Sequence, residues 1–295
     1  MHVFVTGATG FIGSAIVQEL LSHGHRVTGL ARSAAAADTL AAAGAGVHRG
    51  TLDDLESLTR GAAAADAVIH TAFNHDFSRF AASCEDDRRV IAALGNALAG
   101  SDRRLVVTSG TALVAGGALA TEADVASGAH PRAASEQAAA ALLERGVNVS
   151  VVRLAPSVHG VGDHGFVPLL IALAREKGLA AFVGDGRNRW PGVHRLDAAE
   201  LYRRVAESGR AGASYHGAAE TGVAFADIAA VIGRRLGLPV QGLAGDAAKA
   251  HFGWFAHFAG MDNPTSSAWT QRELGWVPRQ PGLLTDIDQP AYFDN

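Results

Sequence analysis

The eight residues TGATGFIG, Thr6 to Gly13, constrain this chain more than any other stretch. They follow a short apolar run, HVFV, and precede Ala15 to Leu21, where apolar residues recur at helical spacing. A strand, a glycine turn and a helix in that order form a nucleotide-binding arrangement, and each glycine has a task. Gly7 makes the tight turn, Gly10 lets the backbone approach a pyrophosphate, and Gly13 lets helix and strand pack closely. The helix N-terminus then offers free N–H groups and the positive end of its dipole to the phosphates. Thr6, Thr9, Phe11 and Ile12 share the turn and count with the glycines as cofactor contacts.

Beyond the turn, strands alternate with helices for about 150 residues. HRVTGLA, VHRG, DAVIHTA, RRLVVTSG and NVSVVRLA read as strands. The alanine-rich SAAAADTLAAAG, the short DLESLTRGA and a segment from Arg88 to Ala99 read as helices. Such alternation predicts a Rossmann-type doubly wound α/β fold, a parallel sheet of six or seven strands with helices on both faces. The segment PSVHGVGDHGFVPLLIALAREKG leaves the sheet after the sixth strand, and GRNRWPGVHRLDAAELYRRVAES returns to its flank. The expected division is a dinucleotide-binding domain of residues 1–155 plus about 190–215, with a smaller, discontinuous substrate lobe of about 156–189 plus 216–295. From about His216 the chain reads as short helices and turns.

Composition narrows the function classes. A formal net charge of −4 offers no electrostatic footprint for nucleic acid or an anionic membrane. Cys84 is the only cysteine, so neither an internal disulfide nor a multi-thiolate zinc site is possible, and the histidine spacings fit no compact metal motif. Folding signals begin at His2, and no apolar run approaches the ~20 residues that span a bilayer. A cytoplasmic protein acting on a small molecule, with no resident metal, is expected.

TGATGFIG resembles the threonine-glycine-x-x-glycine-x-x-glycine signature of short-chain dehydrogenases/reductases, in particular their extended branch of epimerases, dehydratases and reductases. AVIHTA is similar to that family's fourth-strand motif, LVVTSGTALVAG to its fifth-strand serine/threonine motif, and VRLAPSVHGVGD to its sixth-strand segment. GDGRNRWPGVHRLDAAELY and LGWVP match its return segment and C-terminal tail, so the resemblance spans the chain. It implies a nicotinamide cofactor lined by His70, Thr71, Ala72 and Ser109, adenine contacts at Leu52 and Asp53, and a homodimer. The end of the second strand distinguishes the two cofactors. An acidic residue there binds the ribose hydroxyls of NAD(H), whereas this chain has Ala31, Arg32 and Ser33. A guanidinium suits a 2′-phosphate, so NADP(H) is favoured over NAD(H).

In the family a Ser or Thr holds the substrate oxygen, a Tyr moves the proton, and a Lys four positions later supports the Tyr and the ribose. Counting from the glycine that closes TSGTALVAG puts Thr111 at the Ser/Thr position. The Tyr-x-x-x-Lys slot falls on Arg132-Ala-Ala-Ser-Glu136. Tyr202, Tyr215 and Tyr292 are the only tyrosines, and none has a lysine four residues on. Arginine is a permanent cation and a poor acid, though it can stabilise an oxyanion. Arg132 and Glu136 either face the nicotinamide or pair with each other one helical turn apart. A substitute acid is then sought among histidines on the loops at the strands' carboxyl ends, His75 and His159 first, with His164 nearby. His70 reads as pocket lining, and His194 as structural. Asn74 and Asp76 either orient His75 or cap a helix, and Trp190, Trp254, Phe255, Phe258 and Trp269 shape the lobe.

These readings favour an NADP(H)-dependent reductase of a small carbonyl, imine or activated alkene with an atypical active site. The alternatives are a nucleotide-sugar epimerase or dehydratase and a catalytically silent NADP-binding sensor or partner protein.

Overall fold

The computed structural model describes residues 1–294. Its first half alternates β1 (His2–Thr6), α1 (Phe11–Ser22), β2 (Arg26–Ala31), α2 (Ala34–Ala42), β3 (Gly46–Arg49), α3 (Leu55–Ala63), β4 (Ala67–His70), α4 (Phe80–Leu98), β5 (Arg104–Gly110), α5 (Ala134–Glu144) and β6 (Val149–Leu154). There follow β7 (Ser157–His159), α6 (Phe166–Lys177), β8 (Ala180–Val183), β9 (Arg189–His194), α7 (Arg195–Ser208) and β10 (Ser214–Gly217). The chain closes with β11 (Glu220–Ala224), α8 (Phe225–Leu236), β12 (Val240–Leu243), α9 (Gly245–Phe252), α10 (Ala256–Ala259), α11 (Ala268–Leu274) and α12 (Leu283–Ile287).

Seven strands form one sheet in the order β10-β6-β5-β4-β1-β2-β3, and every neighbouring pair is parallel. The fold is therefore the doubly wound α/β fold expected from the alternation. Because a parallel sheet is covered on both faces, its central strands are largely apolar, and successive side chains feed two different cores. Val3 and Val5 of β1 join the cluster beneath α1 and α7, while Phe4 joins the one beneath α3, α4 and α5. The order of strand addition reverses between β1 and β4, and the crevice at that switch point is where such folds bind ligands.

A separate apolar cluster gathers α6, β8, α8 and α9 around the fully buried Trp190 and Phe255. Two small sheets accompany it, β11-β9-β7 and β12-β8. The strands β11 and β12 lie where only helices and turns were expected; each has four or five residues and contains a glycine, too short a pattern to announce itself. β10 extends through Gly217 as the sheet's outer strand. The tail also returns to the sheet: Trp276 is fully buried in the α1–α7 core and donates its indole N–H to the Asp197 carbonyl (3.0 Å).

The helix expected from Arg88 begins eight residues earlier, at Phe80. SCEDDRR is a polar run, yet Cys84, Asp87, Ile91 and Leu94 recur at helical spacing on one buried face. Burial pushes the Cys84 thiol up, which leaves it protonated and inert. Among the described residues no helix is long and apolar enough to cross a membrane.

Candidate functional site

The glycine turn opens onto the switch-point crevice. Gly7 has φ +70°, the left-handed region, and a Cβ there would stand 2.7 Å from Thr71 Oγ1 and 2.8 Å from the Ala72 nitrogen. A Cβ on Gly13 would stand 2.0 Å from the Gly7 carbonyl oxygen, so α1 crosses the turn at a distance only glycine permits. Gly10 N–H donates to that same carbonyl (2.9 Å) and closes the turn. No side chain caps α1, which leaves its first N–H groups to an external acceptor. This path, free of side chains above a helix N-terminus, fits a dinucleotide pyrophosphate. Replacing Gly7 by Ala should cost about 1–2 kcal/mol of backbone strain and weaken NADP binding at least tenfold in a titration. Unchanged affinity in a folded variant would remove the turn from the site.

At the end of β2, Arg32 is exposed and pairs with no carboxylate or carbonyl among the described residues. Ser33 caps α2, its Oγ accepting from Ala36 N–H (3.1 Å). Leu52 is half-buried and Asp53 exposed on the loop before α3; the cap of that helix is Asp54, which accepts from Ser57 N–H (2.9 Å).

A buried polar chain runs inward from the turn. The Thr6 hydroxyl lies 2.7 Å from His70 Nδ1, and His70 Nε2 lies 2.9 Å from Asp87 Oδ1. With Asp87 accepting from Nε2–H, Nδ1 accepts from Thr6, a single consistent tautomer. Thr6 Oγ1 in turn accepts from Ala72 N–H, and Thr71 Oγ1 donates to the Thr6 carbonyl, pinning the loop after β4 to the turn. The other oxygen of Asp87 accepts from Arg132 Nη1 (2.9 Å) and from the Ser135 hydroxyl. Arg132 Nη2 donates to the Thr108 carbonyl (3.0 Å), and the guanidinium lies 4.3 Å above the Phe73 ring.

The Arg132–Glu136 pair allowed by their spacing does not form. Glu136 turns to Arg153, whose Nε and Nη2 donate to its two oxygens (2.9 and 2.7 Å), and the Ser109 hydroxyl donates to Oε1 (2.7 Å). Arg153, buried near the end of β6, satisfies its remaining nitrogen on the Asp124 carbonyl. Both residues of the Tyr-x-x-x-Lys slot are therefore held by internal partners, because each has a buried counter-charge nearer than the other. Thr111 is fully buried and its hydroxyl accepts from Asn263 (3.0 Å).

The histidine candidates separate. His75 stands exposed on the loop after β4, its ring 5.2 Å from Phe73. Crowding by surrounding atoms and then the Arg132 charge hold its pKa below the ordinary imidazole value. Asp76 caps the single turn before α4 and Asn74 accepts from Asp76 N–H, so these two shape the loop. His164 reaches the crevice from the other side, edge-on to Phe11 (5.7 Å). His159 does not join them. It is buried, with Nδ1 on Asp286 (2.9 Å), which also accepts from the Tyr292 hydroxyl (3.0 Å), and this cluster fastens α12 and the tail to β7. His194 caps α7, a structural task. Tyr202, buried beneath Thr108, and Tyr292 have phenols pushed well up by burial, so neither replaces the absent tyrosine.

Sequence reasoning missed Asp87, Arg153, Asn263 and Asp163. Asp87 was legible from its place on the apolar stripe of α4, and Arg153 as the one charge in an otherwise apolar strand. Asn263 gave no signal. Asp163, between His159 and α6, is raised to about 6 by burial, against the opposing pull of the Gly165 N–H and of two histidines.

Residues 3–218 match the model of the NAD dependent epimerase/dehydratase family, and the chain belongs to that family. An uncharacterized protein of Schizosaccharomyces pombe is 48% identical over 295 residues, covering 99% of this chain and 100% of that one. A second, from Saccharomyces cerevisiae, is 46% identical over 291 residues, 97% of this chain and 98% of that one. A 4-hydroxy-2-methyl-3-oxo-4-farnesyl-3,4-dihydroquinoline-1-oxide ketoreductase of Stigmatella aurantiaca is 28% identical over 73% of this chain and 67% of its own. Among solved structures, the dTDP-glucose 4,6-dehydratase of Streptomyces venezuelae with NAD bound superposes with a TM-score of 0.79 at 21% identity, over 100% of this chain and 97% of that one. That likeness is one of fold.

Proposed function

We propose that this family member is an NADP(H)-dependent reductase of a small carbonyl, imine or activated alkene. The observation that carries the proposal is the phosphate cradle at Gly7–Gly13 with an unpaired Arg32, and no carboxylate, at the end of β2. A free guanidinium suits a 2′-phosphate, where a carboxylate would repel it. The distant ketoreductase relative supports the reaction class. An epimerase or dehydratase is less well served, since in the family those reactions rest on the Tyr and Lys that Arg132 and Glu136 replace.

A bound nicotinamide cofactor supplies the hydride, and the remaining tasks fall to the chain. Thr6, His70 and Asp87 fix the loop that carries Phe73 and His75. Arg132 places a permanent positive charge beside that loop and favours negative charge developing on the acceptor oxygen. His75 gives that oxygen its proton and is recharged from the solvent to which it is exposed. Thr111, enclosed under Asn263, positions the β5 loop and does not touch substrate.

Losing the 2′-phosphate contact in Arg32→Ala should weaken NADP binding about ten- to a hundredfold, roughly 1.5–3 kcal/mol, and leave NAD binding nearly unchanged. Titration of both proteins with both cofactors decides this, and equal wild-type affinities would sink the preference. One observation favours a catalytically silent NADP-binding protein instead: Arg132, Glu136 and Thr111 all bond inward. Consumption of bound NADPH on addition of aldehydes, imines and enones separates the two.

A further inference from the structure

Among the described residues, one arginine is withdrawn from solvent without a hydrogen-bond acceptor. Arg103, Arg104, Arg132, Arg153, Arg203 and Arg204 are half-buried or buried, and each donates to a carboxylate or a backbone carbonyl. Arg195 is half-buried too, yet among those residues its guanidinium makes no hydrogen bond or ion pair. The remaining unpaired arginines, Arg32 among them, are exposed and served by water. Withdrawing a guanidinium from water costs free energy that only an acceptor or a counter-charge returns. Within the chain, Arg195 has neither.

Its position makes the omission costlier. Arg195 is the first residue of α7, where the positive end of the helix dipole disfavours a cation. The carboxylate of that turn, Asp197, gives its two oxygens to the N–H groups of Arg279 and Gln280 (3.0 Å each). Two contacts fix the direction of the side chain. A Cβ on Gly160, just after β7, would stand 3.2 and 3.3 Å from Arg195 Cγ and Cδ, so the stem lies along that glycine. The guanidinium lies 5.2 Å over the ring of Phe11, the first residue of α1. A ring face attracts the charge but offers no lone pair to its N–H donors. The first turn of α1 holds no acidic residue and no capping side chain. The unpaired cation therefore stands beside the glycine turn and the open helix end.

We infer that Arg195 is a binding residue for the dinucleotide, its guanidinium completing the cradle for the diphosphate from the far side of Phe11. A diphosphate is doubly charged, and the partial charge of one helix end balances only part of that. A guanidinium answers phosphate oxygens with paired, charge-assisted hydrogen bonds, which also return what its own desolvation costs. Arg32 and Arg195 then have separate tasks. Arg32 selects the 2′-phosphate, and Arg195 serves a group that NAD(H) and NADP(H) share. This role rests on dinucleotide binding at the turn and is independent of the NADP preference and of the reduction itself.

The test is isothermal titration of the full chain, as wild type, Arg195→Met and Arg195→Lys, with NADP⁺, NAD⁺ and ADP-ribose. Arg195→Met should weaken all three alike, roughly ten- to a hundredfold, because all three carry the diphosphate. Arg195→Lys keeps the charge without the fork and should lose less. The gap between wild type and Arg195→Met should narrow as NaCl is raised, which a merely structural role would not produce. Thermal unfolding midpoints should coincide, since the guanidinium bonds nothing in the chain; if Arg195→Met does not fold, the loss and salt dependence in Arg195→Lys decide. Equal affinities in wild type and variants overturn the role of Arg195 and leave the turn as the cofactor site. A loss confined to NADP⁺ also overturns it, by moving the contact to the 2′-phosphate. Unchanged cofactor affinity, with dTDP-glucose bound by the cofactor-saturated wild type and not by Arg195→Met, assigns the guanidinium to a substrate diphosphate instead. A wild type that binds none of the three defeats the cofactor reading and this role together.

Discussion

Replacing Asp87 by Ala should destabilise the protein by about 3–5 kcal/mol, a large fraction of the 5–15 kcal/mol that holds a typical domain together. The carboxylate is buried and accepts from His70, Ser135 and Arg132. Its removal strands a guanidinium that is only 18% exposed, together with a buried imidazole whose other nitrogen is already engaged by Thr6. Asp87→Asn keeps the shape and loses the charge, so it should fall between wild type and the alanine variant. Urea unfolding of the three proteins checks the order, and a loss below about 1 kcal/mol in Asp87→Ala would show that the network is incidental. The pH dependence has a definite sign. Burial pushes this carboxyl up, but the His70 hydrogen bond, the Arg132 charge and the Ser135 hydroxyl outweigh it, leaving its pKa below the usual carboxylate value. The stabilisation is therefore complete above the unfolded value of about 3.9 and lost as pH falls through the lower folded value.

The same residue shows where the sequence is legible and where it is not. Strand–turn–helix with three glycines at fixed spacing has one common solution, and the seven-stranded parallel sheet follows from alternation. Local patterns of this kind are read over a dozen residues. The partners of Arg132 and Glu136 are not: Asp87 lies 45 positions before Arg132, and Arg153 lies 17 beyond Glu136 on another element. Their spacing left Arg132 and Glu136 either to pair with each other or to face the nicotinamide, while the fold supplied each with a buried counter-charge. His159 was placed by its loop motif, and its actual partner, Asp286, comes from a tail helix 127 residues away. The contacts that decide side-chain chemistry here are long-range, and the patterns that decide the fold are local.

Proton delivery is where the expected catalytic effect is largest. With NADPH saturating and a reducible conjugated aldehyde, His75→Ala should lower kcat by about 10²–10⁴-fold, the usual worth of a positioned general acid. Neither Arg132 nor the two buried phenols can substitute, the first being a permanent cation and the others having their pKa raised by burial. Because crowding and the Arg132 charge hold the His75 pKa down, its acid form accumulates only on the acid side of about 6.5. The wild-type rate should therefore fall tenfold per pH unit above a midpoint lower than that value. In His75→Ala this descending limb should disappear. Asp163, whose carboxyl is pushed up to about 6 by burial, is the internal control. Asp163→Asn should keep the limb and its midpoint if His75 is the acid. A limb that survives in His75→Ala and vanishes in Asp163→Asn would transfer the proton to Asp163. A flat profile in wild type, with full activity in both variants, would mean that the acceptor takes its proton from water and that the chain contributes only orientation and the Arg132 field.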